Sequence, residues 1–585
     1  MRLGNFLTEL KRRNVYRVAA AYCVVGWLVI QIVTQVFPFF DVPDWGVRLV
    51  VLAVALGLPF AVAFAWVYEI TPEGVKRTED VPRQSAARQT GRRLDVLIIT
   101  VLAAVIALLV IDRFRSSGQP ERNSTDKSIV VLPFQNASEN AGAEYLAEGI
   151  SEALINSLAE VQQLRVIARA TAFQYKGREI DPVRVGRELN VGVVLTGKVR
   201  QLQDALSVQV DLVDASTGAQ LWGAGYDRKI SDLITVKQSI TQEVTEKLKL
   251  RLSGDEQRRL VKRDTANPEA YQLYLKGRYF WNKRTQAGLQ EGIAFFRQAI
   301  EADPAYALAH VGLADSYNFL GAFGIALLPP GEAMPKARAA ALKALETDDA
   351  LAEAHASLAF VTLYYDWDWT GAETAFQRAI SLNPNYAPAH QWYSHLLMSS
   401  GRTGDAILHA KRASDIDPLS LPAAMNVGWQ YYWSRQYDNA VAQLRRVLEM
   451  DPKFEQAHWA LGLAYEGKCN ADEAASEFRR AIELSRGTPV YLAALGHAQA
   501  SGNKDAALQI SRELQEQSRS TYVSPYWMAA LYAALPDHDR AFAALEQALE
   551  ERSGGAVWLA IDPAMDPLRS DPRFAVLLQR IRLKP

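Results

Sequence analysis

The sequence predicts a multi-domain chain: three transmembrane helices, a small α/β domain with the order β-α-β-α-β-β-β-α, and an all-α superhelical solenoid. Three observations carry this reading. Pro384, Pro418 and Pro452 recur 34 residues apart, with small residues held in phase between them. Ahead of them, short strand-like runs include a clean apolar alternation at Leu206, Val208, Val210 and Leu212. The first 115 residues are far more apolar than the rest of a chain that is 49% apolar overall. A chain of 585 residues is also too long for one core.

The totals exclude some classes. A formal net charge of −1 gives no global attraction to nucleic acid, and no nucleic-acid partner is expected. The two cysteines, Cys23 in an apolar run and Cys469 in a repeat loop, imply no disulfide framework.

In chain order, residues 18–37 and 49–68 are uncharged runs of spanning length, and 94–113 offers a third, shorter apolar stretch. Basic residues precede the first run (Lys11, Arg12, Arg13, Arg17) and crowd the segment after the second (Lys76, Arg77, Arg83, Arg88, Arg92, Arg93). The positive-inside rule then puts the amino terminus in the cytoplasm. Three crossings make residues 1–115 a bacterial inner-membrane module, with the soluble domains in the periplasm. No small-residue cleavage pattern follows the first run, so an uncleaved anchor is expected. Residues 116–127 are polar and read as a tether.

Residues 128–252 hold the α/β domain. Residues 128–134 form an apolar strand signal, and Leu146, Ile150, Leu154 and Leu158 mark an amphipathic helix. Asp181 and Pro182 are placed to cap and open a second helix. Three alternating runs between 193 and 228 predict an antiparallel meander, and 234–252 a closing helix. The motifs Leu132-Pro133-Phe134, Phe173-Gln174-Tyr175-Lys176-Gly177, Gly197-Lys198-Val199-Arg200, Leu221-Trp222 and Tyr226-Asp227-Arg228 occur in order across this stretch. On them the domain resembles the TolB amino-terminal-like (FlgO-like) domain of bacterial membrane-anchored proteins. The resemblance implies an envelope location and protein association, and supplies no catalytic residue. Relatives of this kind commonly place repeats after the domain, and some begin with a DNA-binding or nucleotide-cyclase domain.

Residues 267–550 carry about eight repeats, followed by a terminal cap at 551–585 that hides the last apolar face. Gly428, Tyr431 and Ala440 recur as Gly462, Tyr465 and Ala474, a helix-turn-helix pattern similar to tetratricopeptide repeats. The second repeat has an insertion at 319–335, where Pro329 and Pro330 rule out a continuous helix. His310, His355, His390 and His458 hold one slot in successive repeats, which spreads them along the solenoid and argues for packing rather than metal binding. No nucleophile turn or phosphate-binding loop is present, so no catalytic, cofactor or metal residue is nominated and no enzyme is expected.

The candidate partner-binding groove lies on the first helix of each repeat. It comprises Phe360, Tyr364, His395, Met398, Trp429, Tyr432, Trp433 and Trp459, an aromatic surface suited to anchoring a protein or peptide partner. The alternative is that these rings fill the superhelix. The functional expectation is a membrane-anchored scaffold or sensor adapter that binds without chemistry. The alternative is a cytoplasmic-facing regulator in a cyclase- or transcription-linked pathway.

Overall fold

The computed structural model describes residues 127–583, apart from 139–140, 162, 251, 262–264, 284, 322–327 and 486, together with scattered positions between 22 and 77. The chain divides into two compact units, Met1–Asn123 and Ser124–Pro585.

In the first unit, helical positions are described within 22–29 and 50–59, and Tyr22 donates its hydroxyl to the Val54 carbonyl at 3.0 Å. Strands β1 (Tyr68–Thr71) and β2 (Gly74–Arg77) pair as an antiparallel hairpin. Among the described residues no helix is long and apolar enough to cross a membrane. This corrects the expectation of three transmembrane helices, and with it the inner-membrane location with periplasmic soluble domains. A crossing helix needs about 20 consecutive apolar residues. Tyr68, the expected last residue of the second span, instead opens a β-strand. Most of 18–37 and 49–68, all of 94–113, and the tether apart from Lys127 lie outside the described residues.

The second unit begins with a mixed sheet. Its strands are β3 (Lys127–Val131), β4 (Gln135–Asn136), β5 (Leu164–Val166), β6 (Val193–Leu202), β7 (Ala205–Asp214) and β8 (Gln220–Lys229), ordered β5-β3-β6-β7-β8 with β4 also on β6. β3 runs parallel to β5 and β6, whereas β6-β7-β8 is an antiparallel meander. Apolar composition explains the difference in burial. Ile129, Val130 and Val131 on central β3 are fully buried, while β7 alternates buried and exposed as a half-covered strand does. Helix Glu144–Ala159 packs on β3, β4, β5 and β6, and helix Leu233–Lys247 on β7 and β8. Asp181 accepts from the Val183 amide at 3.0 Å, with Pro182 at the first helical position of Pro182–Glu188.

From Pro268 the chain is a series of helix pairs, which we number repeats 1 to 8, from Pro268–Trp281 with Gln286–Ala302 to Pro525–Ala534 with His538–Glu550. Two local devices set the repeat. The first is close helix approach: a Cβ on Gly462 would sit 2.5 Å from the Phe478 ring, and one on Gly428 2.7 Å from Leu444. The second is the turn between repeats. Asp303, Asn383 and Asp451 each accept from the amide two residues on, at 2.8 to 3.0 Å. His310, His355, His390 and His458 each bond the carbonyl six residues earlier, at 2.8 to 3.1 Å. The shared histidine slot is therefore a stitch between the turn and the next helix.

In repeat 2 the insertion is shorter than expected. Pro330 occupies the first turn of helix Pro330–Thr347, where its missing N–H costs nothing, so Gly331 to Pro335 are helical. After repeat 8 come two 3-10 turns, Gly554–Trp558 and Pro563–Leu568, and a helix, Pro572–Arg580.

Candidate partner-binding site on the first-helix face of the repeats

Each first helix turns one stripe toward the interior of the solenoid, and that stripe holds the aromatic residues nominated from sequence. Phe360 lies in Ala352–Val361 of repeat 3, and Tyr364 in the π-helical turn Thr362–Asp366 that follows. His395 and Met398 lie in Ala387–Ser399 of repeat 4. Trp429, Tyr432 and Trp433 belong to Leu421–Trp433 of repeat 5, and Trp459 to Glu455–Gly467 of repeat 6. All eight are buried, at 1 to 7% exposure.

They form two groups. Phe360 stacks on Tyr364 (4.4 Å between ring centroids), and the Tyr364 hydroxyl bonds His395 Nδ1 at 2.6 Å. Trp429 stacks on Trp433 at 4.9 Å and meets Trp459 edge-on at 4.9 Å. Met398 is buried in the same core without a ring contact among those described. His395 Nε2 lies 2.7 Å from Asn426 Oδ1, whose amide nitrogen donates to Ser394. Asn426 can only accept at that oxygen, so His395 carries its proton on Nε2 and accepts from Tyr364 at Nδ1. Burial pushes the His395 imidazole down to about 4, in keeping with this neutral form.

The two groups meet edge-on at His395 and Trp433 (6.3 Å), and a residue that carries no repeat phase packs across both. Trp558, from the segment after repeat 8, stacks on Trp433 at 3.7 Å and reaches His395 (5.3 Å) and Tyr364 (6.3 Å) edge-on. The same carboxy-terminal segment makes three polar attachments to repeats 3 and 5. Arg435 grips Asp566 with two bonds of 2.7 and 2.8 Å. Arg552 donates to the Tyr365 carbonyl at 2.8 Å, and Trp369 Nε1 to the Ile581 carbonyl at 2.8 Å. The segment thus does more than cover the last repeat: it crosses to repeat 3 and fills the face where the candidate residues lie.

Beside Trp558 are residues that sequence reasoning did not single out. Trp527 meets Trp459 edge-on at 5.5 Å, and Asp562 accepts from Tyr526 at 2.8 Å. Burial lifts the Asp562 carboxyl above the usual carboxylate range. His497 Nδ1 lies 2.6 Å from Glu466; burial opposes its charge, but Glu466 outweighs burial and raises the imidazole. Trp527 lies next to Tyr526 in an apolar helix, and nothing in its spacing sets it apart from core.

The amino-terminal part of the same face is occupied by the α/β domain. Glu152, on helix Glu144–Ala159, accepts from Arg278 Nε (2.7 Å) and Asn282 (2.8 Å) of repeat 1 and pairs with Arg169 (2.8 Å). Burial opposes its charge, but Arg278 and Arg169 hold it below the ordinary carboxylate value. Arg278 also faces Asp315 of repeat 2 at 4.0 Å, and Asp315 in turn accepts from Ser357 of repeat 3. A second contact falls on the turn between repeats 4 and 5. There Asp417, in the position of the turn-capping Asp303 and Asp451, takes the Thr171 amide (2.8 Å) and hydroxyl (2.6 Å) of the α/β domain. Thr171 Oγ1 also accepts from the Leu419 amide at 2.6 Å.

Among the described residues no cluster of His, Cys, Asp and Glu could hold a metal ion.

Comparison with known proteins gives partial matches. Residues 428–489 match the tetratricopeptide repeat family, and residues 125–243 match a family described as HilA/YgeH-like transcriptional regulator, second domain. A protein named putative adenylate cyclase 3, from Rhizobium meliloti (strain 1021), is 34% identical over 194 residues, 33% of each chain. The chain thus spans about a third of the length of that relative. TTC0263, a repeat protein of Thermus thermophilus, aligns at 22% identity and TM-score 0.29 over 32% of this chain and 99% of its own. PilW, a type IV pilus biogenesis factor, aligns at 21% identity and TM-score 0.31 over 37% of this chain and 94% of its own. The family match at 428–489 and the observed helix pairs establish a chain of tetratricopeptide repeats joined to a small sheet domain.

Proposed function

We propose that this chain is a protein-interaction scaffold that binds a protein or peptide partner through its repeats, without catalysis. The observation that supports it best is the aromatic first-helix face, already shaped to hold a polypeptide segment. Phe360, Tyr364, His395, Met398, Trp429, Tyr432, Trp433 and Trp459 line that groove in this reading. The α/β domain, whose motifs resemble the TolB amino-terminal-like domain, acts as a rigid adapter: Glu152 and Thr171 clamp it to repeat 1 and to the repeat 4–5 turn.

The test is site-specific photo-crosslinking in cells that express the protein, with the crosslinker at exposed positions on repeats 3 to 7. One recurrent protein adduct, absent when the crosslinker sits on β8, is the expected result. A purified full chain that converts a nucleoside triphosphate would overturn the non-catalytic reading.

A second reading is favoured by two findings, the match at 125–243 and the relative named putative adenylate cyclase 3. In it the scaffold serves a cyclase- or transcription-linked signalling pathway. Deleting the gene should then change cellular cyclic AMP or a transcript set; unchanged profiles under conditions of expression would dismiss it.

A further inference from the structure

The carboxy-terminal segment is seated on the repeat face by side-chain anchors rather than by continuing the repeat pattern. Trp558 inserts its ring between Trp433 and the Tyr364–His395 pair. Eight residues on, Asp566 meets the Arg435 fork. An aromatic anchor in a pocket with a charged clamp beside it is how peptide segments are generally recognised on such surfaces.

The repeat side is shaped for the contact. The turn Thr362–Asp366 is π-helical and ends at Trp367 in a left-handed conformation (φ 54°). The Tyr365 carbonyl of this turn is the one that receives Arg552.

The seam is also incompletely filled. A cavity of about 20 Å³, room for roughly one water molecule, lies among Trp429, Trp433, Trp459, Trp527 and Trp558. Trp459, 4% exposed, lines it and leaves its Nε1 without a hydrogen-bond partner. A solvent-open pocket of about 590 Å³ lies between Ala560, Ile561, Arg582 and Leu583 of the segment and Asp368, Trp369, Thr370, Ser399, Ser400 and Gly401 of repeats 3 and 4. Space left unfilled by the resident segment is what a better-fitting segment would gain.

We propose that the first-helix face of repeats 3 to 7 is an exchangeable peptide groove. Its resident ligand is the chain's own segment 552–583, and its partner presents the same chemistry, a tryptophan followed about eight residues later by a carboxylate. The proposal rests on the scaffold reading and names the groove's ligand class. Because the resident segment is tethered, it competes at high effective concentration, and the groove opens only to a ligand that exceeds it or when the tether's anchors are weakened.

The experiment uses the full chain and a fluorescein-labelled synthetic peptide of residues 552–583, followed by anisotropy. Weakening the resident anchors with Trp558→Ala plus Asp566→Ala should tighten peptide binding at least tenfold over the unmodified chain. The milder Asp566→Ala alone, whose ion pair is half exposed, keeps the core intact and should give about threefold. A peptide carrying both substitutions should bind none of the three proteins. Equal binding to all three proteins, with circular dichroism showing them folded, overturns the proposal. A concentration-dependent dimer dissolved by the peptide also overturns it, by assigning the groove to a second copy. If the peptide does not exchange but the photo-crosslinked partner adduct on repeats 3 to 7 persists, the scaffold reading stands and the groove assignment falls. If both are lost, the scaffold reading falls with it.

Discussion

Two seams hold the second unit together, and they are built on opposite principles. Where the α/β domain meets repeat 1, the contact is ionic and directional: Glu152 is shared by Arg169, Arg278 and Asn282. Where the carboxy-terminal segment meets repeats 3 to 7, the buried contact is aromatic, with stacked rings and unfilled space, and its ion pair with Arg435 lies at the exposed edge. A buried ionic cluster is intolerant of displacement, because moving one member strands another charge in low dielectric. Ring stacking is tolerant, because any flat ring of suitable size recovers much of the contact. The comparison assigns registration to the first seam and exchange to the second.

The largest effect expected from breaking the contrast is at Glu152. Glu152→Ala leaves Arg278 and Arg169 facing each other without their shared carboxylate, and should destabilise the folded unit by about 4 kcal/mol. Denaturant melts should show it, and the 552–583 segment should retain its hydrogen-exchange protection relative to the global value. Parallel loss at both seams would dissolve the distinction.

Acid should act next, with opposite signs at neighbouring histidines. Burial pushes His390 and His395 down to about 4, so an unfolded imidazole protonates near 6.5 while the folded one does not. Their contribution is present above pH 6.5 and is lost as pH falls toward 4, on the order of 3 kcal/mol for fully buried His395. His497 is raised, and Asp562 is raised as well, so their contributions run the other way. Glu466, Asp562, Tyr526 and Arg569 are the groups facing this pair. Its share is present at low pH and is lost as pH rises, for His497 through its elevated value above 6.5. Thermal melts should fall between pH 6.5 and 4.5, and His395→Gln should remove much of that slope. Exchange of the 552–583 amides, corrected for intrinsic rate, should quicken from pH 6 to 8.

Thr171→Val is a smaller cut at the registering seam. It strips a donor from buried Asp417 and leaves the Leu419 amide without its acceptor, for about 2 kcal/mol. The matching isosteric change is mild in volume, so a much larger loss would mean the turn itself depends on the α/β domain.

Smallest is Asp566→Ala. Its pair with Arg435 is 42 to 45% exposed, and such pairs contribute at most about 1 kcal/mol. The melt should hardly move while peptide exchange rises, which separates groove occupancy from global stability.

Much of the architecture was legible in residue order. The 34-residue period, the glycines whose missing Cβ admits Phe478 and Leu444, and the Asp181–Pro182 helix start are all local signals. They are legible because each repeat touches its neighbours, so the contact recurs with the chain. The membrane expectation failed by the same locality. Hydropathy scores composition along the chain, and it does not register that Tyr68 pairs with Arg77 in a hairpin.

The site was legible only in half. Sequence phase placed Trp429, Tyr432 and Trp433 on one helix face, but not the ring that covers them. Trp558 lies outside any repeat, and its segment's anchors join residues 131 to 212 positions apart. The Thr171–Asp417 clasp spans 246. Periodicity by itself determined that this chain is a repeat solenoid with an aromatic inner stripe. Only the tertiary structure decided that the stripe is occupied, by the α/β domain at one end and the chain's own tail at the other. Contacts between distant segments depend on how the superhelix curves back on itself, and such contacts leave no repeating trace in the residues that make them.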